Sequence, residues 1–286
     1  MDKQQERSDQ VLIQEALSGN RKSLEILIKR HQTWIFNVAL NLTADANEAA
    51  DLMQEVLIKM VTNLSRFERK SQFRTWLYRI IKNHFLNTKR KGQSSQVIPW
   101  EEYAQGLDAT RDKELTDTFD IDKELLVEEA KLSCMKAMLL CLTPEQRLVY
   151  VLGELFETPS AEAAEVMGVT AANFRKQLSR TREQLYNFMN EKCGLINKTN
   201  PCRCARKTTG FIQKGYVDPK NLQFQREVIS KIEDIAPSKL DAFENKGMTA
   251  YKRLYKAHNY QQTPNEDLFL KELLTSSDIK ESFGLN

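Results

Sequence analysis

Along the first ninety positions, apolar residues recur every three to four places, the spacing of helices that bury one face. Ser8 to Leu17 is a short amphipathic stretch stopped by Ser18-Gly19-Asn20. Leu24, Leu27, Ile28, His31, Ile35, Val38 and Leu42 carry the rhythm through a second helix. Asp45-Ala46-Asn47-Glu48 reads as a capping box opening a third, which carries Leu52, Val56, Met60 and Leu64. A fourth runs from about Ser71 to Lys91, with Phe73, Leu77, Ile81 and Phe85 as its buried stripe. Trp76 and Tyr78 fit either the core or an exposed aromatic face.

The rhythm stops at Gly92-Gln93-Ser94-Ser95 and resumes near Asp122. The pattern then predicts a helix to about Leu142. Thr143 follows as an N-cap, with Pro144 at the first helical position and Gln146 at the third. Two short helices come next, about Ser160–Met167 and Thr170–Met189, separated by Gly168-Val169. Past Cys193 the pattern weakens into a loop through Pro201, and helices are expected again at Gln223–Ile235 and Glu266–Leu274. With ten Gly and seven Pro in 286 residues, the expectation is an all-α fold. Two helical domains are joined by a linker and followed by a mostly helical C-terminal extension.

Charge marks the boundaries. From Lys59 to Lys91 ten basic residues stand against one acid, Glu68; from Gly92 to Ile121 seven acids stand against Arg111 and Lys113. A basic helical block followed by an acidic tether is a domain boundary. The expected divisions are a first domain over 1–92 and an acidic flexible linker over 93–121. A second domain covers 122–192, a Cys-containing basic loop 193–220, and a C-terminal extension of unassigned role 221–286. The overall charge of +3 is too balanced for a coat of nucleic acid, so anion binding must come from local segregation.

No run of about 18–20 apolar residues is present, and the polar N-terminus is unlike a signal peptide. The expectation is a cytoplasmic chain with reduced thiols and no membrane partner. Three His, no phosphate-cradling Gly loop and no nucleophile elbow argue against an enzyme.

The richest motif is the pair of short helices about Gly168, the pattern of a helix-turn-helix. Ala164 supplies the small residue at the crossing, and Phe174 and Leu178 face the core. That leaves Thr170, Ala171, Asn173, Arg175, Lys176 and Arg180 to meet duplex DNA, with Asn and Arg able to make two-pronged contacts to base edges. A plain helical hairpin with a solvated basic face has the same local pattern.

Taken together, the modules resemble a bacterial sigma factor of the sigma-70 family, extracytoplasmic-function type. The resemblance rests on Asp51-Leu52-Met53-Gln54-Glu55-Val56, on Ser71 through Ile80, on Thr143 through Arg147 and on Leu178 through Leu185, and covers roughly residues 8–92 and 122–190. It implies core RNA polymerase and promoter DNA, duplex and melted, as partners, and allows an anti-sigma factor. Asp51, Gln54 and Glu55 would bind core polymerase, although acids near a helix start are also stabilising in themselves. Phe67, Arg69, Lys70, Arg74, Trp76, Arg79 and Asn83 would handle the −10 element, the loop Glu68–Gln72 helping to pocket a flipped base. Arg66, Lys82 and the cluster Lys89-Arg90-Lys91 add backbone cations. Thr170 through Arg180 would face the −35 duplex. The acidic tether would either occupy a path that RNA later needs or serve as a solvated linker.

Cys193-x8-Cys202-x-Cys204 is the one unusual chemical constellation. The resemblance implies no cofactor. Three thiols could ligate Zn²⁺, and nearby Arg203, Arg206 and Lys207 should lower their pKa and make them oxidisable. Unligated cysteines are the other alternative, since no fourth Cys or His follows closely; Cys134 and Cys141 read as core, and His258 is remote. A stand-alone helix-turn-helix regulator with a thiol- or metal-sensing segment is the competing function.

Overall fold

A computed structural model describes residues 8–90, 97–115, 122–220 and 222. The helices expected at Gln223–Ile235 and Glu266–Leu274, and His258, lie outside them. Ten α-helices occur among the described residues, and the only β contact there is an isolated parallel bridge between Cys193 and Cys202. The chain divides into two compact units.

The first unit contains α1 (Asp9–Leu17), α2 (Arg21–Thr43), α3 (Ala46–Thr62) and α4 (Phe73–Arg90). Each start is chemically marked. Ser8 caps α1, Asn20 caps α2 by accepting from the Ser23 amide at 3.2 Å, and Asp45 accepts from the Asn47 and Glu48 amides at 2.9 Å. Ala44 ends α2 in a left-handed conformation, φ 58°, its amide donating to the Leu40 carbonyl at 2.8 Å. The buried stripes are those of the sequence pattern: Leu24, Leu27, Ile28 and Ile35 on α2, Val56 and Met60 on α3, and Phe73, Leu77, Ile81 and Phe85 on α4. Tyr78 is also core, edge-on to Trp34 at 4.8 Å between ring centroids.

The second unit contains α5 (Trp100–Asp108), α6 (Lys123–Met138), α7 (Pro144–Tyr150), α8 (Ser160–Met167), α9 (Ala171–Lys192) and α10 (Cys204–Gln213). At α7 the capping box is complete: the Thr143 hydroxyl accepts from the Gln146 amide, and the Gln146 side chain accepts from the Thr143 amide. Arg147 is buried, its guanidinium donating to the Leu142 carbonyl at 3.2 Å, so it closes the preceding turn instead of facing solvent. A single π-type turn, Val151–Leu155, continues α7. It brings buried Glu154 to Arg182 of α9, whose Nε donates to that carboxylate.

Two expectations about the boundaries need correction. The acidic segment is not a flexible linker throughout, because α5 folds within it. Trp100 and Tyr103 lie 4.8 and 5.7 Å from the ring of Phe188 on α9, and the Ile98 amide donates to the Leu140 carbonyl at 3.1 Å. Residues 193–220 are likewise not simply a loop, since α10 packs Phe211 with Leu126 and Ala130 of α6, Val217 and Leu222. α10 and the end of α9 also hold the acidic segment. Lys207 pairs with Asp112 at 3.0 Å and donates to the Thr110 carbonyl, Lys192 pairs with Asp108 at 2.9 Å, and the Lys113 amide donates to the Arg206 carbonyl at 3.0 Å. Opposite charge and apolar burial together give that segment the partners its own sequence lacks.

Candidate nucleic-acid interface

On α3 the inward residues Ala49, Leu52, Met53, Val56, Leu57 and Met60 leave the opposite stripe to solvent. That stripe presents Asp51, Gln54 and Glu55 side by side, followed by an exposed Ile58. The Glu55 carboxylate stands 4.0 Å from Lys59 and 3.9 Å from His84. Asp51 and Glu55 are both exposed.

The loop after α3 and the face of α4 hold the residues expected at the −10 element. Arg69 sits at φ 58°, a left-handed turn that throws residues 68–70 outward, where Lys70 pairs with Glu68. Phe67 is half-buried, 5.2 Å from Phe73 and 5.5 Å from Trp76 between ring centroids. Trp76 in turn stacks on Phe73 at 5.4 Å, so it is a half-buried ring seated on the core. Arg79 donates to the Ser71 hydroxyl at 2.6 Å, bracing the loop against α4. Arg74 lies 5.3 Å over the ring of Trp34, an arrangement that holds its cation at the surface.

Asn83 is exposed and opens on a cavity of about 280 Å³ lined by Lys59, Asn63, Arg66, Trp76, Ile80, His84 and Asn87. The sequence pattern missed Trp34, Asn63, His84 and Asn87 as members of this surface. Trp34 lies on α2 and Asn63 at the end of α3, while His84 and Asn87 carry no charge run that could have marked them. Lys59 Nζ approaches His84 Nδ1 at 2.7 Å; burial and that ammonium push the His84 pKa down, with Glu55 opposing. The Lys89-Arg90-Lys91 side chains lie outside the described set.

Gly168 turns the chain between α8 and α9 at φ 74°, a conformation that costs a side chain with a Cβ. Thr170 caps α9, its hydroxyl accepting from the Asn173 amide at 3.2 Å. Ala164, Phe174 and Leu178 are buried as expected. Asn173, Arg175, Lys176 and Arg180 are exposed along one side of α9, Thr170 is exposed at its start, and Ala171 is half-buried. Asn173 is oriented by Gln177, whose amide donates to its side-chain oxygen at 3.3 Å. The expected helix-turn-helix is therefore present with its basic side outward.

The cysteines depart from expectation. Burial pushes Cys193, Cys202 and Cys204 up, outweighing the downward pull of Arg203 on Cys193, Lys207 on Cys202 and Lys131 on Cys204. Neighbouring thiols add to this: Cys193, Cys134 and Cys202 act on Cys204, and Cys193 on Cys202. Cys134 is not an isolated core residue. Burial raises it to about 12, and Cys193 and Cys202 both act on it. Cys141 is buried as expected. Among the described residues, no group of three or more His, Cys, Asp or Glu side chains is placed to hold a metal ion.

Comparisons with known proteins agree with this anatomy. Residues 27–95 match the family model for sigma-70 region 2, and residues 132–185 match that for sigma-70, region 4. The RNA polymerase sigma factor YlaC of Bacillus subtilis is 28% identical over 170 residues, 59% of this chain and 94% of that protein. The RNA polymerase sigma-H factor of Pseudomonas aeruginosa is 27% identical over 185 residues, 63% of this chain and 93% of its own. The ECF RNA polymerase sigma-E factor of Escherichia coli is 27% identical over 186 residues, with the same shares. Two sigma-70 region models fall on the chain in order, one on each helical unit, and the chain covers 93–94% of these relatives' length, so in both modules it is similar to sigma-70 family factors of the extracytoplasmic-function type.

Proposed function

We propose that the chain is a promoter-specificity subunit that binds core RNA polymerase and directs it to start sites. The observation that carries this is the division of labour between two units: an acidic stripe and a cation-rich aromatic surface on the first, and a helix-turn-helix with its basic side outward on the second. Neither surface alone needs the other for a free regulator, but a polymerase subunit needs both.

Asp51, Gln54 and Glu55 form the surface offered to core polymerase, where opposite charge on the partner supplies the attraction. Phe67, Arg69, Lys70, Arg74, Trp76, Arg79 and Asn83 serve the −10 element. Exposed cations follow the strand backbone, Trp76 offers a stacking face, and the polar cavity beneath Asn83 accepts an unstacked base. Thr170, Ala171, Asn173, Arg175, Lys176 and Arg180 serve the −35 duplex, with Asn173 and Arg175 in position for base edges and the flanking cations for phosphates. Among the described residues no helix is long and apolar enough to cross a membrane. The chain acts where polymerase and chromosome are, in the cytoplasm.

Run-off transcription with purified core polymerase and a genomic fragment library tests the proposal. Promoter-dependent transcripts are expected, together with melted template detected by permanganate. Tight duplex binding without polymerase, and no transcripts with it, would instead make the chain a stand-alone regulator. Affinities are compared at matched ionic strength, because each phosphate contact adds to the salt dependence.

A further inference from the structure

The imidazole of His84 on α4 meets two charged groups of α3. Its Nδ1 lies 2.7 Å from Lys59 Nζ and 3.9 Å from the Glu55 carboxylate, and Lys59 and Glu55 themselves stand 4.0 Å apart. An ammonium only donates, so Nδ1 accepts and the ring proton resides on Nε2. Burial and the Lys59 ammonium push the His84 pKa down against the pull of Glu55, which favours this neutral form. Protonation would add an N–H at Nδ1 and leave the one at Nε2 in place. In either state Nε2 is a donor and never an acceptor.

The same ring lines the cavity of about 280 Å³ on which Asn83 opens. The charged residues among those lining it are Lys59 and Arg66, and both are donors as well. Asn63 donates to the Lys59 carbonyl at 3.0 Å and so fixes the end of α3 on which Lys59 stands. With Nδ1 held by Lys59, Nε2 is the ring nitrogen left to meet a ligand. The cavity therefore offers a neutral, oriented donor beside two cations, a setting that suits a carbonyl oxygen.

We propose, on the promoter reading given above, that His84 is a specificity-determining residue for the melted −10 strand, its Nε2–H donating to a carbonyl oxygen of the base that enters the cavity. Cytosine, guanine and thymine each carry such an oxygen. Adenine carries none and presents an amino group, which sets a donor against donors. Adenine is the base this cavity rejects. A purely mechanical role, in which Lys59 and His84 only pin α3 to α4, would instead weaken binding to every sequence alike.

The test uses the full chain assembled with core polymerase. Promoter fragments are left unpaired across the −10 element, and each position of the melted strand carries the four bases in turn. The parent is expected to bind adenine about tenfold more weakly than the other three bases at one position. His84→Asn can still accept from Lys59 but is too short to reach the base, so that ratio should fall toward unity while preferences at the other positions stay unchanged. His84→Gln restores an N–H at the reach of Nε2 and should recover most of the preference. The adenine penalty is read on the parent itself, so it does not depend on either variant folding. A parent that disfavours adenine at no position overturns the proposal. So does a His84→Asn complex that keeps the parental ratio, or one that binds all four bases more weakly by the same factor. A parent that forms no promoter complex with core polymerase overturns the promoter reading, and this assignment with it.

Discussion

The Lys207 ammonium on α10 lies 3.0 Å from the Asp112 carboxylate of the acidic segment and also donates to the Thr110 carbonyl. Asp112 is nearly half exposed, so the ion pair itself contributes little. The carbonyl bond matters more, because Lys207 is buried and its loss leaves a peptide oxygen short of a partner. Lys207→Met keeps the apolar stem and removes the donor. The expected outcome is a loss of about 1–3 kcal/mol in urea unfolding. Amide exchange should accelerate at Lys113, whose N–H is held by the Arg206 carbonyl. Parental exchange rates across residues 108–115 would show that α10 does not hold this segment.

Arg175 and Arg182 lie two turns apart on α9 but do different work. Arg175 is exposed and faces outward, whereas Arg182 reaches inward to buried Glu154. Arg175→Ala is expected to weaken promoter-duplex binding by about 1–3 kcal/mol, mostly at one base position, with an unchanged melting temperature. Arg182→Ala is expected to lower the melting temperature, because it strands the Glu154 carboxylate; about 1–3 kcal/mol is reasonable for a pair whose Arg is partly in water. Fluorescence anisotropy on a promoter fragment, beside calorimetry of the free protein, separates the two. Equal duplex affinity of Arg175→Ala and parent would remove that residue from the interface.

What could be read from the sequence was whatever depends on neighbours along the chain. Thr143-Pro144-Glu145-Gln146 specifies its own helix start, and Gly168 its own turn, so both were legible. The stripes of α2, α3 and α4 repeat over several turns and placed Phe73 and Phe85 correctly. By contrast, α5 has only Trp100, Tyr103, Ala104 and Leu107 among charges, and the ring that covers it, Phe188, comes from a distant helix. The inner face of α10 includes Lys207, Thr208 and Gly210, which hides the apolar period. Ala44 and Arg69 adopt left-handed conformations with no glycine to announce them. The outward side of α9 was legible apart from half-buried Ala171, since burying Phe174 and Leu178 dictates which residues remain outside.

Gly153 lies in the π-type turn, close against α9. A Cβ built there would stand 2.6 Å from Leu178 Cδ2 and 3.1 Å from Phe174 Cζ. Both side chains are core residues of the helix-turn-helix, so neither can swing into solvent. Gly153→Ala is therefore expected to destabilise the second unit by about 1–3 kcal/mol, despite the better helix propensity of alanine. Gly106→Ala is the control, because a Cβ there meets nothing within 4 Å. It should be neutral or slightly stabilising in the same thermal scan. Equal midpoints for the two variants would mean that α9 shifts to make room.

Asp9 joins α1 to α2 by accepting from Arg30 Nη1 at 2.7 Å and from His31 Nε2 at 3.0 Å. Burial on its own would raise the pKa of this carboxyl. The hydrogen bonds and charges of His31 and Arg30 overcome it and hold the group at about 2, against an ordinary 3.8. The folded state therefore binds this proton more weakly than the unfolded chain does. The stabilisation is fully present above pH 3.8 and is lost as pH falls through about 2. Asp9→Asn keeps the shape and removes the charge. The half-exposed setting reduces the expected loss to about 1 kcal/mol at neutral pH. The gap between parent and variant should narrow steadily across the acid window, measured by urea unfolding at successive pH values. A gap that stays constant down to pH 2 would assign the effect to packing of α1 and leave the carboxylate no electrostatic part in it.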